Sequence, residues 1–265
     1  MSRIIAVANQ KGGVAKTTTA INLAAGICAS GKRVLLVDLD PQGNATTGSG
    51  LEKLEAQAGV YDVLNEAATI IDVKMLSPTA GYDVLTANQH LAGAEVELVG
   101  GMGREKRLRK ALNAVTSDYD FVFIDCPPAL SLLTINGLTA AHFVIIPMQC
   151  EYYALEGLRD LVDTIKRIKE HLNPSLEIGG LVRTMFDGRN SLAQQVSDQL
   201  DKHFGDKLFK TVIPRNVRVA EAPSYGLPVL VYDKMSKGAI SYQALTEEFL
   251  KRFGSMLEVK NYGQG

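Results

Sequence analysis

The sequence predicts an α/β fold in which helices cover both faces of a doubly wound, mostly parallel sheet. Short apolar runs alternate along the chain with longer amphipathic stretches, and several of the apolar runs lack polar positions, as strands covered on both faces do. The predicted strands are residues 4–8, 34–37, 121–124, 144–147, 178–182 and 212–214. The predicted helices are residues 17–30, 105–116, 130–141, 157–172, 192–204 and about 238–253.

The elements alternate in order along the chain. Strand 4–8 leads through a glycine-rich turn into helix 17–30, and strand 34–37 ends in two carboxylates. Residues 51–103 are less regular, and after them helix 105–116 precedes strand 121–124, which also ends in an acid. Helices 130–141 and 157–172 are each followed by a strand, and turns at 187–190 and 214–216 precede later helices. This alternation is typical of a parallel sheet with crossover helices.

Length and composition predict one globular domain over residues 1–254 and a flexible tail over 255–265. With 265 residues and 46% hydrophobic residues, the chain can bury a full core without disulfides. Its three cysteines, Cys28, Cys126 and Cys150, form no CxxC pair, which predicts a reduced, cytoplasmic protein with buried thiols. We expect no signal peptide and no membrane-spanning run. A net charge of −1 means that any nucleic-acid binding must come from a local patch.

The most informative segment is a glycine-rich loop between the first predicted strand and the first predicted helix, the context that a phosphate loop requires. It reads Gln10-Lys11-Gly12-Gly13-Val14-Ala15-Lys16-Thr17-Thr18. Glycines let backbone N–H groups turn toward phosphate oxygens, and the helix start adds its positive end. Lys16 is placed to reach the β- and γ-phosphates, and the Thr17 hydroxyl to bind Mg²⁺. Because Gln10 and Ala15 stand where the strict motif has glycines, a turn without a ligand is the alternative for this segment alone.

Two further strand ends favour nucleotide binding. The second predicted strand ends at Asp38, with Asp40 two residues later, and the strand 121–124 ends at Asp125. If the second strand adjoins the first, we expect Asp38 and Asp40 to share the sheet edge where phosphates would bind. Asp125 has the form of the acid that holds Mg²⁺ or its waters.

These segments resemble the deviant phosphate-loop motif of the ParA/MinD ATPases, in which Lys11 is the signature lysine. Further motifs similar to the ParA branch are Asp38-Leu39-Asp40-Pro41-Gln42-Gly43-Asn44, Asp125-Cys126-Pro127-Pro128, Phe186-Asp187-Gly188-Arg189, Gln194-Gln195-Val196, and residues 213–223. The resemblance runs from residue 3 to about 253 and is strongest to short chromosomal ParA/Soj proteins without an N-terminal DNA-binding extension.

The resemblance implies that ATP and Mg²⁺ are the cofactors and that two protomers enclose two ATP molecules face to face. Lys11 then reaches the partner's phosphates and, with Lys16, stabilises negative charge during transfer. Asp40 orients the attacking water and joins Thr17 and Asp125 around Mg²⁺. The implied nucleotide contacts are Gly12, Gly13, Val14, Ala15, Lys16, Thr17 and Thr18 in the loop, and Met185, Pro214 and Asn216 at the adenine.

Ala15 departs from the family pattern, which has glycine at this position. A methyl group there would crowd the phosphate or require a different φ. The hypothesis of a binding module that does not hydrolyse ATP therefore rests on Ala15.

For its partners, the resemblance implies an ATP-dependent homodimer that binds double-stranded DNA without sequence preference. A ParB-type centromere-binding protein then stimulates hydrolysis and release, in the cytoplasm on the nucleoid. Arg189 and Arg218 match the family's DNA-contacting positions, and Lys210, Arg215 and Lys237 are weaker candidates. Clustered cations on one face suffice for phosphate contacts.

Three alternatives stay open from the sequence. A MinD-like ATPase on a membrane surface needs an amphipathic C-terminal helix, whereas we expect the last helix, with its acids and two phenylalanines, to dock on the body. No stable membrane association is therefore expected. A metal-cluster reductase needs cysteines from two subunits around the cluster. Cys126 lies beside Asp125, but no second cysteine has a suitable context. ATPases of this type position chromosomes, plasmids or protein clusters, so the sequence does not predict the cargo.

Overall fold

In the computed structural model, which describes residues 2–54 and 57–254, eight strands form one sheet. The strands are β1 (Arg3–Val7), β2 (Val34–Asp38), β3 (Met75–Leu76), β4 (Asp83–Leu85), β5 (Phe121–Asp125), β6 (Phe143–Met148), β7 (Glu177–Phe186) and β8 (Leu208–Pro214). Their order is β3-β4-β2-β5-β1-β6-β7-β8, and each pairing is parallel except that of β3 with β4. The predicted fold class is confirmed.

Helices connect the strands and cover the sheet. The α-helices are α1 (Lys16–Ala29), α2 (Asn44–Gly48), α3 (Val60–Leu64), α4 (Ile70–Val73), α5 (Leu91–Glu97), α6 (Arg107–Asn113), α7 (Leu132–Ala140), α8 (Ala154–His171), α9 (Ser191–Phe204), α10 (Val217–Glu221), α11 (Val229–Tyr232) and α12 (Lys237–Phe253). Short 3₁₀ helices cover Leu98–Gly100, Arg104–Lys106, Gly205–Lys207 and Ala222–Tyr225.

Both faces of the sheet are buried, each under its own hydrophobic cluster. Along β1, Ile4 and Ala6 belong to one cluster while Ile5 and Val7 belong to the other, as the two-residue period of a strand requires. Residues of α1 and α12 complete the second cluster, and residues of α6, α7, α8 and α9 contribute to the first. Burial of the strands on both faces explains why their sequences are continuously apolar.

The central strands bring the predicted acids to one edge of the sheet. β5 lies between β1 and β2, so that Asp125 pairs in register with Val7 on one side and with Asp38 on the other. Parallel pairing sends all three strands toward the same edge, and the glycine-rich loop follows β1 there. This register determines the position of the candidate site.

The irregular segment 51–103 holds elements that the sequence pattern did not predict. It contains α3, α4, α5 and the strands β3 and β4, none longer than seven residues. Elements of this length contain too few turns or alternations for a hydrophobic period to emerge. Other differences are at element ends: α6 begins at Arg107 after a 3₁₀ turn, α7 begins at Leu132, and α8 begins at Ala154.

The last helix docks on the body of the domain, as predicted. Phe249 and Phe253 are 0% and 2% exposed, and their rings contact Phe121, Phe123 and Phe143 on the sheet. Within the described part of the chain, no helix is both long and apolar enough to cross a bilayer. The predicted tail, 255–265, lies outside the described residues.

Candidate functional site

The glycine-rich loop is fixed to the ends of two neighbouring strands. The Asn9 side chain donates from Nδ2 to the carbonyl of Pro147 (2.8 Å) and accepts from the backbone N–H of Lys11 (3.0 Å). Thr184 donates through its buried hydroxyl to the carbonyl of Val14 (3.0 Å). These bonds tie the loop to β6 and β7.

The start of α1 is suited to bind an anion. Gly13 has a φ of 72°, and the residue preceding the helix, Ala15, is left-handed with φ 64° and ψ 35°. No side chain caps this end of α1, and the first turn contains no acid. The first N–H groups of a helix lack intrahelical partners, and the helix dipole favours negative charge beside them. An anion of the phosphate type satisfies both requirements.

Lys16 stands at the centre of the loop and is 7% exposed. Its Nζ donates to the carbonyl of Lys11 (3.0 Å). Burial lowers the pKa of the Lys16 ammonium, and the nearby Asp125, Cys126 and Asp40 oppose that shift. Lys16 therefore places a buried cation at the uncapped start of α1.

Asp125 is a fully buried acid at the end of β5. One of its carboxylate oxygens, Oδ2, accepts from the Thr17 hydroxyl (2.7 Å), whereas the other, Oδ1, has no hydrogen-bond partner among the described residues. Burial raises the pKa of Asp125 well above its ordinary value, and the neighbouring charge of Asp38 adds to the effect. A buried oxygen without a partner beside a threonine hydroxyl suits a hard cation that prefers oxygen ligands, such as Mg²⁺.

The two acids at the end of β2 have different environments. The expectation that both lie at the phosphate edge required β2 to adjoin β1, whereas β5 lies between these two strands. Asp38 is 0% exposed, and its carboxylate accepts hydrogen bonds from Thr46 and from the backbone of Asp40. Burial raises the pKa of Asp38 to about 6, although those hydrogen bonds lower it. The strand ends at Asp38, so Asp40 lies in the following turn and the rule for residues sharing a strand face does not apply. Only Asp40 borders the cavity.

A cavity of about 540 Å³ joins these groups, a size typical of ligand sites. Of the predicted residues, the following line it: Gly12, Gly13, Ala15, Lys16, Thr17, Thr18, Asp40, Met185, Pro214 and Asn216. Three others lie outside its lining. Val14 is buried beneath the loop, Asp125 is buried behind Thr17, and Lys11 borders a neighbouring cavity of about 360 Å³.

Further residues of the lining were not predicted from the sequence as nucleotide contacts. They are Gln42, Asn44, Pro128, Thr184, Ile213, Arg215, Val219, Ala220 and Tyr242. Gln42, Asn44 and Pro128 belong to motifs noted in the sequence, so membership of a motif could have identified them as nucleotide contacts. Tyr242 reaches the cavity from α12 and lies in no such motif. A larger cavity of about 770 Å³ between α1 and α12 lacks a phosphate loop, so the chemistry of the lining, rather than the volume, identifies the site.

The far wall of the cavity holds the three positions predicted to contact adenine. Met185 has a φ of 49°, which is unusual for a residue with a side chain. Asn216 precedes α10, and its Oδ1 accepts from the backbone N–H of Val219 (3.3 Å). Pro214 ends β8 between them.

Lys11 forms an ion pair within its own chain. Its Nζ contacts Oε2 of Glu151 at 2.5 Å, and the two side chains are 42% and 51% exposed. Glu151 directly precedes the exposed Tyr152 and Tyr153 at the start of α8. Because an exposed pair contributes roughly 0–1 kcal/mol, this contact leaves Lys11 free to exchange partners.

The candidate DNA-contacting arginines are exposed and lie after adjacent strand ends. Phe186 pairs in register with Pro214, so the segments that carry Arg189 and Arg218 leave the sheet side by side. Arg189 pairs with Asp187 (2.8 Å), and Arg218 pairs with Glu221 (2.9 Å) and Asp233 (3.4 Å).

The weaker candidates are distributed unevenly. Arg215 follows β8 directly and also lines the nucleotide cavity, so these loops are close to the cavity although they are distant from the phosphate loop in sequence. Lys237 begins α12, whose Gly238 packs against Val219 of α10. Lys210 lies near the other end of β8, apart from this group.

All three cysteines are within the described residues as free thiols, Cys126 and Cys150 buried and Cys28 half-buried. Burial raises the pKa of the Cys126 thiol. Among the residues that the structure describes, no three His, Cys, Asp or Glu side chains converge as a metal cluster would require.

A loop between β1 and α1 that can surround phosphates, together with the acid at the end of β5, defines a P-loop protein. The family model described as an AAA domain matches residues 2–178. The chain is 54% identical over 248 residues to the sporulation initiation inhibitor protein Soj of Bacillus subtilis, covering 94% of this chain and 98% of that protein. It is 50% identical over 252 residues to the chromosome partitioning protein ParA of Caulobacter vibrioides, covering 94% of each.

Solved structures agree with this assignment. Cobyrinic acid a,c-diamide synthase from Mycobacterium smegmatis, with bound ATP analog and magnesium, is similar with a TM-score of 0.84 and 38% identity over 97% of each chain. The chain therefore belongs to the ParA/MinD family of P-loop ATPases, and its 50–54% identical relatives are Soj and ParA proteins.

The left-handed backbone at Ala15 predicts the effect of restoring glycine. We expect Ala15→Gly to raise the free energy of unfolding by about 1 kcal/mol, because a Cβ is unfavourable at φ 64°. Ala29→Gly, at an exposed position in the last turn of the same helix, should lower it by about 0.5–1 kcal/mol. Urea denaturation of both variants measures the difference in sign. A loss of stability in Ala15→Gly contradicts strain at this position.

Proposed function

We propose that the chain is a partition ATPase that binds ATP with Mg²⁺, dimerises, binds DNA without sequence preference and hydrolyses ATP to release it. The observation that carries the proposal is the convergence of the uncapped start of α1, the buried Lys16 and the acids Asp40 and Asp125 around one cavity. The Soj and ParA names of its relatives support partition as the process.

The residues of the site fit both cofactors. The loop N–H groups and Lys16 match a polyphosphate, and the free Oδ1 of Asp125 beside the Thr17 hydroxyl matches Mg²⁺. Met185, Pro214 and Asn216 form the wall for the base. When bound, Mg²⁺ neutralises charge on the phosphates during transfer.

The protein's own groups divide the remaining work of hydrolysis. Lys16 holds the β- and γ-phosphate oxygens, Asp40 accepts a hydrogen bond from the attacking water and orients it, and Asp125 holds the cation shell through Thr17. Lys11 leaves Glu151 and reaches the phosphates of the partner protomer, where a positive charge stabilises the transition state. We expect Lys11 to exchange the exposed Glu151 for a phosphate because the phosphate carries more negative charge. The attraction is also stronger in a less hydrated site.

DNA binding uses the surface formed by Arg189, Arg215, Arg218 and Lys237. Arg189, Arg215 and Arg218 follow the adjacent ends of β7 and β8, and Lys237 begins α12, which packs against α10. Dimerisation doubles the number of phosphate contacts on one continuous surface, which raises affinity and its dependence on salt. A centromere-binding protein of the ParB type stimulates hydrolysis, and the protein acts in the cytoplasm on the nucleoid.

A role on a membrane surface is the second candidate, and the burial of α12 argues against it. The two phenylalanines that would anchor an amphipathic helix, Phe249 and Phe253, are in the core. Liposome co-sedimentation with ATP distinguishes the two roles.

Binding and hydrolysis should separate in two variants of the site. Asp40→Ala should keep ATP affinity and remain as an ATP dimer without turnover, because Asp40 serves the water rather than the phosphates. Lys16→Ala should lose ATP binding, because the phosphate charge loses its main cation. Calorimetry, turnover and size-exclusion chromatography with ATP measure the three properties. An Asp40→Ala protein that hydrolyses ATP at the wild-type rate contradicts the assignment.

Charge reversal tests the DNA surface. Arg189→Glu and Arg218→Glu should each remove binding to random-sequence duplex while ATP-dependent dimerisation persists, since a phosphate contact becomes a repulsion. Arg167→Glu, an equal charge change at an exposed position of α8, should keep DNA binding.

The measurement is a mobility-shift titration with ATP and with ADP over a range of salt. Wild type should bind only with ATP, with a log–log salt slope of roughly −0.9 per phosphate neutralised. If both reversals bind as tightly as wild type, the surface is placed wrongly. If the wild-type ATP dimer ignores DNA at low salt, the partition proposal fails.

A further inference from the structure

The turn that carries Asp40 is organised around a different acid. The backbone N–H of Asp40 donates to Oδ1 of Asp38 (3.2 Å). Within the turn, Gln42 donates from its backbone to Oδ1 of Asp40 (3.0 Å), and Gly43 donates to the carbonyl of Asp40 (2.9 Å). The direction of the Asp40 carboxylate therefore depends on where Asp38 holds the backbone.

Thr46 holds the other oxygen of Asp38. Oδ2 accepts from the Thr46 backbone N–H (2.7 Å) and from its hydroxyl (2.8 Å). The same hydroxyl accepts from the backbone N–H of Ala87 (3.0 Å), which lies just beyond β4. Since a hydroxyl has one proton and two lone pairs, Thr46 makes both bonds at once, and it is 0% exposed.

The segment after β4 also limits the turn sterically. Gly43 has a φ of 62°, and a Cβ at this position would lie 2.8 Å from the carbonyl oxygen of Ala87. The Asp40 turn therefore packs directly on the backbone that the Thr46 hydroxyl contacts. Thr46 joins β2, α2 and the chain after β4 through a single oxygen atom.

We propose that Thr46 is a positioning residue for ATP hydrolysis, which acts by fixing Asp38 and through it the backbone of Asp40. The inference rests on the proposed role of Asp40 in orienting water. Thr46 is not in the lining of the nucleotide cavity, so its loss should not remove a nucleotide contact. Misplacement of a catalytic group by about 1 Å costs on the order of 10²-fold in rate.

The test separates positioning from general stability. Thr46→Val keeps the shape and removes the hydroxyl, Thr46→Ser keeps the hydroxyl, and Thr246→Val removes a buried hydroxyl in α12 as the control. For each full-length variant, kcat and KM are measured with Mg·ATP and duplex DNA, ATP Kd by calorimetry, and unfolding by heat.

The proposal predicts that Thr46→Val lowers kcat by about tenfold or more while ATP Kd changes by less than about twofold. Thr46→Ser should retain a kcat near wild type, and Thr246→Val should lose stability without losing kcat. If Thr46→Val does not fold, Thr46→Ala against Thr46→Ser makes the same comparison, because both lack the methyl group and only one lacks the hydroxyl.

A folded Thr46→Val or Thr46→Ala protein with a wild-type kcat overturns the proposal. So does a loss of ATP affinity that accounts for the whole decrease in rate. A wild-type protein that binds ATP but never hydrolyses it counts instead against the proposed function.

Discussion

The structure depends on one buried carboxylate, that of Asp125, which ends the central strand β5 and accepts a hydrogen bond from the hydroxyl of Thr17. An acid in this position is costly, since burial and the neighbouring Asp38 both raise its pKa. The parallel register of β1, β5 and β2 leaves no other place for it, because Asp125 pairs with Val7 and Asp38. A buried carboxylate with one unpartnered oxygen is consistent with a site that receives a cation, because the cation would satisfy that oxygen.

Several neighbouring features compensate for that acid or use it. Lys16 provides a buried positive charge, and Thr17, in the first turn of α1, contributes one hydrogen bond. Asp38 is satisfied separately by Thr46, so that of the two adjacent strand-end acids, only Asp125 keeps an open oxygen. The hydrogen bonds of Asp38 are thus used within the fold, whereas Asp125 keeps an oxygen for the proposed cation.

The sequence predicted the main sheet because its strands are five residues or longer and largely apolar. It predicted the phosphate loop because backbone geometry restricts the residues there. It missed β3 and β4, which are only two and three residues long. It also grouped Asp38 with Asp40 on the condition that β2 adjoins β1, whereas β5 separates these strands and β2 ends at Asp38. The contact of Lys11 with Glu151 joins residues 140 positions apart and has no local signal. The roles of Lys11, Asp40 and the two arginines stay predictions.

The most direct test of the account is the dependence of ATP affinity on Mg²⁺ in wild type and Asp125→Asn. Calorimetric titration with and without Mg²⁺ gives four dissociation constants. We expect Mg²⁺ to tighten ATP binding to wild type by about tenfold or more, and we expect Asp125→Asn to keep the Mg²⁺-free affinity while losing that gain. If Mg²⁺ strengthens ATP binding equally in both proteins, Asp125 does not hold the cation and the central claim is wrong.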